Sequence, residues 1–217
     1  LPNFNNGVFL NIHKTEMMVD RNELKKVMFT FFFGKKPNLK PTHNIPTCKS
    51  DLLQIPINED VLVWFGHSSY FMQLDGKRFL IDPVFNTYAS PFPKINQSFK
   101  GTNIFSVSDM PEIDYLLITH DHYDHLDYKT VKALKSKTKK VICGLGVGSH
   151  FRHWGFDSNL IIEKNWNETF FVDEQLSIHA TPARHFSGRS TKRNNTLWLS
   201  FLVQTPDFKI FFGGDGG

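Results

Sequence analysis

From Val61 onward, apolar and polar positions alternate in short runs, as they do in half-buried strands. Val61–Phe65 and Tyr70–Leu74 flank the turn 66–69, and Asp75-Gly76 is a strong hairpin signal before Lys77–Ile81. Asp82-Pro83 ends that strand, and residues 86–110, rich in Pro, Asn and Ser, read as a long surface loop. A buried strand is predicted over 113–119. A helix follows over about 127–137, with Val131 and Leu134 facing inward and lysines outward. Val141–Cys143 predicts a short strand that runs through a glycine-rich turn, Gly144–Gly148, into a helix at Ser149–Trp154. Further strands are predicted near Leu160–Glu163, Thr169–Val172, Leu176–Ala180, Leu197–Gln204 and Phe208–Phe212.

Residues 1–57 lack this order. Pro37, Pro41, Pro46 and Pro56 interrupt the segment, which reads as an irregular arm packing on a main domain of residues 58–217. Within the arm, Lys25–Lys36 is an aromatic patch bracketed by lysines. A short element packed on the main domain by its phenylalanines is expected, in preference to a surface dipping into a lipid interface.

A length of 217 residues suits one large domain or two small ones, and 40% hydrophobic with 21% charged residues is ordinary for a globular chain. The 22 phenylalanines are the anomaly. A formal charge of +4 leans toward anionic ligands without identifying a partner. Cys48 and Cys143 are no disulfide framework; their apolar surroundings predict two buried free thiols. No run approaches the roughly 18 apolar residues of a membrane span. The chain begins at Leu1, read as a processed or trimmed terminus, which leaves cytoplasmic, membrane-peripheral and exported placements open.

His120-Asp121-His122-Tyr123-Asp124-His125 changes the picture. No fold needs that density of metal-ligand side chains for packing, and a polar helix-capping turn is a poor alternative. Neutral imidazole and carboxylate together suit a borderline first-row cation such as zinc. Two imidazoles one residue apart can converge on one ion from a turn, while Asp124 and His125 can reach a second. Two later segments supply what such a site lacks. His185 lies in a loop containing Gly and Ser, and Asp215 follows an apolar strand between glycines. The 144–148 turn has neither a P-loop ending nor the dinucleotide spacing, so it is read as a strand-to-helix turn.

At this point the sequence resembles the metallo-β-lactamase-fold hydrolases, and among them the N-acyl-phosphatidylethanolamine-hydrolysing phospholipase D branch. The resemblance is carried by residues 64–69, 80–83, 117–127, 144–148, 182–189 and 212–215. It implies an α/β fold of the layered α+β kind, the αββα sandwich. It implies that His120, His122 and His185 hold one metal, that Asp124 and His125 hold a second, and that Asp215 bridges both. Asp82 would be the buried aspartate that orients a ligand imidazole, and His67 would lie at the mouth of the cleft. Asp127 would either orient a ligand or cap the following helix. The family pattern also has a histidine and a second half-sandwich downstream of Asp215. With Gly217 the last residue, the sequence is read as a fragment with an under-ligated second site.

The expected function is a zinc-dependent phosphodiesterase of the phospholipase D type, with two Zn2+ and Mn2+ or Fe2+ as substitutes. A water bridging two cations would act as nucleophile, oriented by Asp124. The expected partner is a small-molecule or lipid substrate, with peripheral membrane contact and oligomerisation both open. The alternatives are a lactonase on a phosphorylated sugar acid and a metal-binding module without catalysis. A nuclease ranks lower, since no basic-aromatic stripe is legible. An oxygen-reducing di-iron enzyme is disfavoured because that group carries Glu where this chain has His122.

Overall fold

The computed structural model describes residues 1–15, 21–34, 38–90, 96–189 and 192–216. The chain opens with a two-stranded hairpin, β1 (Phe4–Asn5) and β2 (Val8–Phe9), and then α1 (Arg21–Phe33). A six-stranded sheet follows, formed by β3 (Val61–Gly66), β4 (Ser69–Leu74), β5 (Lys77–Ile81), β6 (Ile113–Ile118), β7 (Thr138–Gly144) and β8 (Ile161–Lys164), in that spatial order. The first three strands pair antiparallel through tight turns, whereas β5 to β8 run parallel. A second, antiparallel sheet is made by β9 (Thr169–Phe171), β10 (Ser177–Thr181), β11 (Ser200–Gln204) and β12 (Lys209–Phe212), ordered β12–β11–β10–β9.

Strand parity explains the layers. Successive residues of a strand point to opposite faces, so a strand buried on both sides is apolar throughout. In β6, Leu117 joins Met72, Phe79, Ile81 and Ile142 against Ile178, Phe201, Val203 and Phe212 of the second sheet. Its neighbours Leu116 and Ile118 join Phe71, Leu80, Val141 and Cys143 on the opposite face. There they pack on Val131 and Leu134 of α2 (Tyr128–Leu134) and Phe151 of α3 (Gly148–His153). The described residues therefore stack helices, sheet and sheet. Exposed Phe171 and Phe211 lie on the four-stranded sheet, where no described helix covers them.

Three expectations need correction. The arm contains a 13-residue helix, because the prolines counted against it all fall after its last residue. On that helix Val27, Met28, Phe29 and Phe33 are exposed, and the Phe29 and Phe33 rings pack on each other with centroids 5.3 Å apart. Cys48 is exposed, on an extended segment whose neighbour Lys49 pairs with Asp109 at 2.7 Å, and only Cys143 is buried. The apolar run from Leu197 enters β11 only at Ser200. Leu197 and Leu199 instead donate their backbone N–H groups across to Leu145 and Thr119, joining the second sheet to the ends of the first.

Candidate metal centre

Parallel strands leave their loops at one sheet edge, so side chains just past β5 and β6 are brought together there. Asp82 follows β5 and Thr119-His120 follows β6. Asp82 is fully buried and adopts φ +42°, a left-handed conformation that Asp tolerates better than bulkier residues. Its two carboxylate oxygens are completely used. Oδ1 accepts the Thr119 N–H at 2.8 Å, while Oδ2 accepts the Thr119 hydroxyl at 2.6 Å and His125 Nδ1 at 2.8 Å. This turns His125 Nε2 outward. The Thr119 hydroxyl has only one proton, and it is given to Asp82. His120 Nδ1, 3.0 Å from the same oxygen, must then be the donor, which leaves a lone pair on His120 Nε2.

That lone pair lies 2.9 Å from His122 Nδ1, which in turn lies 3.2 Å from Nε2 of His185. A proton on His122 Nδ1 could serve one of these neighbours well, but not both. A cation of first-row size would serve all three nitrogens, so the donor set fits a metal. Burial lowers the basicity of His120 well below the ordinary imidazole value, and the neighbouring histidines add to the effect. His185 is pushed down to about 4, by burial first and then by His122. All are neutral near pH 7, the form that ligates.

The second cluster has a different electrostatic character. Burial works against a charged His125, but Asp82 and Asp215 outweigh it and raise its pKa to about 10. Burial would raise Asp124, yet its bond to His67 and the His125 charge hold it at about 2. Asp215 lies between the clusters, with Oδ1 3.1 Å from His125 Nε2 and Oδ2 3.9 Å from His185 Nε2. It follows Gly214, whose φ of +57° and approach to Thr119 leave no room for a side chain: a Cβ would lie 2.9 Å from the Thr119 hydroxyl.

Two four-residue groups result, His120, His122, His185 and Asp215, and His67, Asp124, His125 and Asp215. Within each, one ligand atom per residue lies within 4.8 Å of the others. His67, expected at the mouth of the cleft, stands in the second group, its Nε2 3.2 Å from His125 Nε2 and 3.3 Å from Asp124 Oδ2. The turn between β3 and β4 swings it inward at φ +48°. Asp127 is outside both groups. Its side chain accepts the Thr130 N–H as the N-cap of α2 and also bonds Asn86.

Several residues that hold the site were not legible in the sequence. Asp121 is buried between the ligands and accepts the Gly188 N–H at 2.8 Å, with His150 Nε2 3.3 Å away. Arg189 donates to the carbonyls of Asp121 and Leu126, and Tyr123 donates its hydroxyl to the Arg189 carbonyl. The His185 loop is thereby laced to the His-rich turn from both sides. Asn11 anchors it from a third, donating to the His185 carbonyl at 2.9 Å and accepting from Trp198 at 3.0 Å. In the glycine-rich turn, the Glu163 carboxylate accepts the Gly146 and Gly148 N–H groups, filling the place a phosphate would need.

Residues 77–217 match the family described as Beta-lactamase superfamily domain. The whole chain aligns with an uncharacterised protein of Mycobacterium tuberculosis at 36% identity, covering 58% of that protein. An N-acyl-phosphatidylethanolamine-hydrolyzing phospholipase D 1 of Caenorhabditis elegans is 30% identical over 71% of this chain and 46% of its own length. The chain thus spans about half the length of these curated relatives. Among solved structures, CmlA, a diiron beta-hydroxylase from Streptomyces venezuelae, superposes with a TM-score of 0.56 at 27% identity, over 73% of this chain and 30% of CmlA.

Proposed function

Since the chain belongs to the β-lactamase superfamily, we propose that it is the metal-binding part of a metal-dependent hydrolase that cleaves a phosphodiester, with zinc as the resident ion. The observation that carries this reading is the convergence of two four-residue groups on one shared carboxylate, Asp215. His120, His122 and His185 would hold one ion through neutral nitrogens, and His67, Asp124 and His125 the other. Bound cations would bring a water's pKa near neutrality and polarise the oxygen under attack. The chain's own groups do the rest. Asp124, with its pKa held at about 2, is ionised across the working range and offers an oxygen to orient a water. Asp82 fixes the Nδ1 proton of His125 so that Nε2 faces the cluster.

Five imidazoles and two carboxylates are a borderline-soft set, which supports zinc, with Fe2+ or Mn2+ as competitors. A lipid substrate is supported by the phospholipase relative and by α1, whose exposed Val27, Met28, Phe29 and Phe33 adjoin Lys25 and Lys26. No described helix is long and apolar enough to cross a membrane.

The test is hydrolysis of bis(p-nitrophenyl) phosphate and of N-acyl-phosphatidylethanolamine vesicles by the intact protein, stripped of metal and reloaded. Turnover should need the ion and fall by about 100-fold or more in Asp124→Asn, with the thermal midpoint little changed. Lactone hydrolysis in the absence of phosphodiester turnover would replace the reading with a lactonase. Bound metal without turnover of either class would leave a metal-binding module.

A further inference from the structure

Beside the metal-ligand groups lies a cavity of about 850 Å³ that the chemistry above does not use. Its walls come from three places: the 86–90 loop, α2, and the end of α3 with Arg189. The His-rich turn forms the shared border, since Tyr123 lines the cavity between ligand residues His122 and Asp124.

The lining is basic and aromatic. Lys129, Lys132, His153 and Arg189 face Tyr88, Tyr123, Tyr128 and Trp154. Lys129 and His153 have no hydrogen-bond or ion-pair partner among the described residues, and Lys132 bonds only the Tyr128 hydroxyl, at 2.9 Å. The Arg189 guanidinium is packed on the Tyr123 ring at 4.1 Å and lies 5.6 Å from Trp154. Asp127 is the sole acid in the lining, and its side chain is committed to capping α2 and to Asn86. Lysines on a surface helix are ordinarily just solvated. Here they border a concave space with aromatic side chains in its walls, and no ion pair is formed by either lysine among the described residues. Cationic groups so placed attract a compact polyanion, and the volume exceeds what a bare ion needs.

We propose that this groove binds a phosphate monoester at the non-reacting end of the substrate, a phosphate besides the scissile diester that N-acyl-phosphatidylethanolamine does not carry, with Lys129 and Lys132 as its cationic ligands and Arg189 holding the wall. The inference rests on the hydrolase reading for the word substrate, and on the groove alone for the binding. A small organic body would lie along Tyr128 and Trp154, while the scissile ester reaches past Tyr123 to the metal-ligand groups. The phosphate could belong to a soluble metabolite or to a lipid headgroup.

Calorimetric titration of the metal-loaded protein tests it, with glycerol 3-phosphate against glycerol in one arm. In the other arm, phosphatidylcholine vesicles with phosphatidic acid are compared with vesicles without it. Phosphate-dependent binding is expected in at least one arm, and the arm that responds identifies the source. Lys129→Ala/Lys132→Ala should weaken it by about tenfold or more at unchanged metal content. Lys129→Arg/Lys132→Arg should restore most of it. No phosphate-dependent binding in either arm overturns the proposal. Binding that the double alanine variant leaves intact overturns it as well, because the phosphate then sits at the metal. Since these readouts involve no turnover, an inactive protein that still binds would sink the hydrolase reading alone. An active one that binds no phosphate would sink the groove alone.

Discussion

The two ligand groups meet at one carboxylate but are built on opposite electrostatic plans. The group around His120 is assembled from imidazoles that burial has made weakly basic. The group around His125 is a small ionic lattice, a cationic imidazole between Asp82 and Asp215 with Asp124 ionised beside it. In the first, protons barely compete with a metal. In the second, a metal must displace a proton that two carboxylates hold. Sites of equal ligand number can therefore differ widely in how pH governs their filling.

Removing the shared carboxylate should produce the largest effect. Asp215→Ala is expected to abolish ion binding at the second group and to weaken the first. The loss should exceed the roughly 10–100-fold that an outer partner costs, as read by metal analysis and calorimetry. Equal, small losses at both groups would dissolve the contrast.

Asp82→Asn sharpens it. An amide placed against His125 Nδ1 favours the opposite tautomer, with the proton on Nε2. Affinity at the second group should fall by roughly 10–100-fold, and the first should fall less, its only link to the change being the Thr119 hydroxyl beside His120 Nδ1. Calorimetric titration resolves the two stages.

Acidification should then empty the groups in order. Because His125 is raised to about 10, its proton competes across the whole neutral range. Second-group affinity should climb as pH rises toward that value, with about one proton released per ion bound. His185, lowered to about 4, gives the first group a nearly flat response down to weakly acidic pH. Titration from about pH 8 to about pH 6 should therefore strip one ion while the other remains. Loss of both together would refute the ordering.

Asn11→Ala carries the smallest expected effect. It loosens the His185 loop without touching a ligand atom. First-group affinity should drop by only about two- to fivefold, the scale of one hydrogen bond, and the second group should not respond.

The strands from Val61 onward were legible because each is anchored by alternation or by an apolar run that only a doubly buried strand explains. The metal-ligand turn was legible because its residue types serve no packing role. The helix at Arg21–Phe33 was missed because prolines were weighed across the whole arm instead of where they fall. The place of His67 was beyond reach of pattern, since it depends on a left-handed turn that swings the ring inward. The basic-aromatic groove was equally hidden. Lys129 and Lys132 share one helix, but His153, Arg189 and Tyr88 come from distant stretches, and no linear stripe announces them. The exposure of Cys48 shows a related limit: an apolar neighbourhood along the chain says little about burial in space.

Asn11 joins His185 across 174 residues of chain. Contacts of such separation close a long loop and form late in folding, after local turns and sheet neighbours have settled. The clasp over the His185 loop therefore shuts only after the sheets between Asn11 and His185 are in place. A folding chain would carry a half-finished receptor for the cation until that contact formed, so maturation of the centre would report that the intervening sheets are in register.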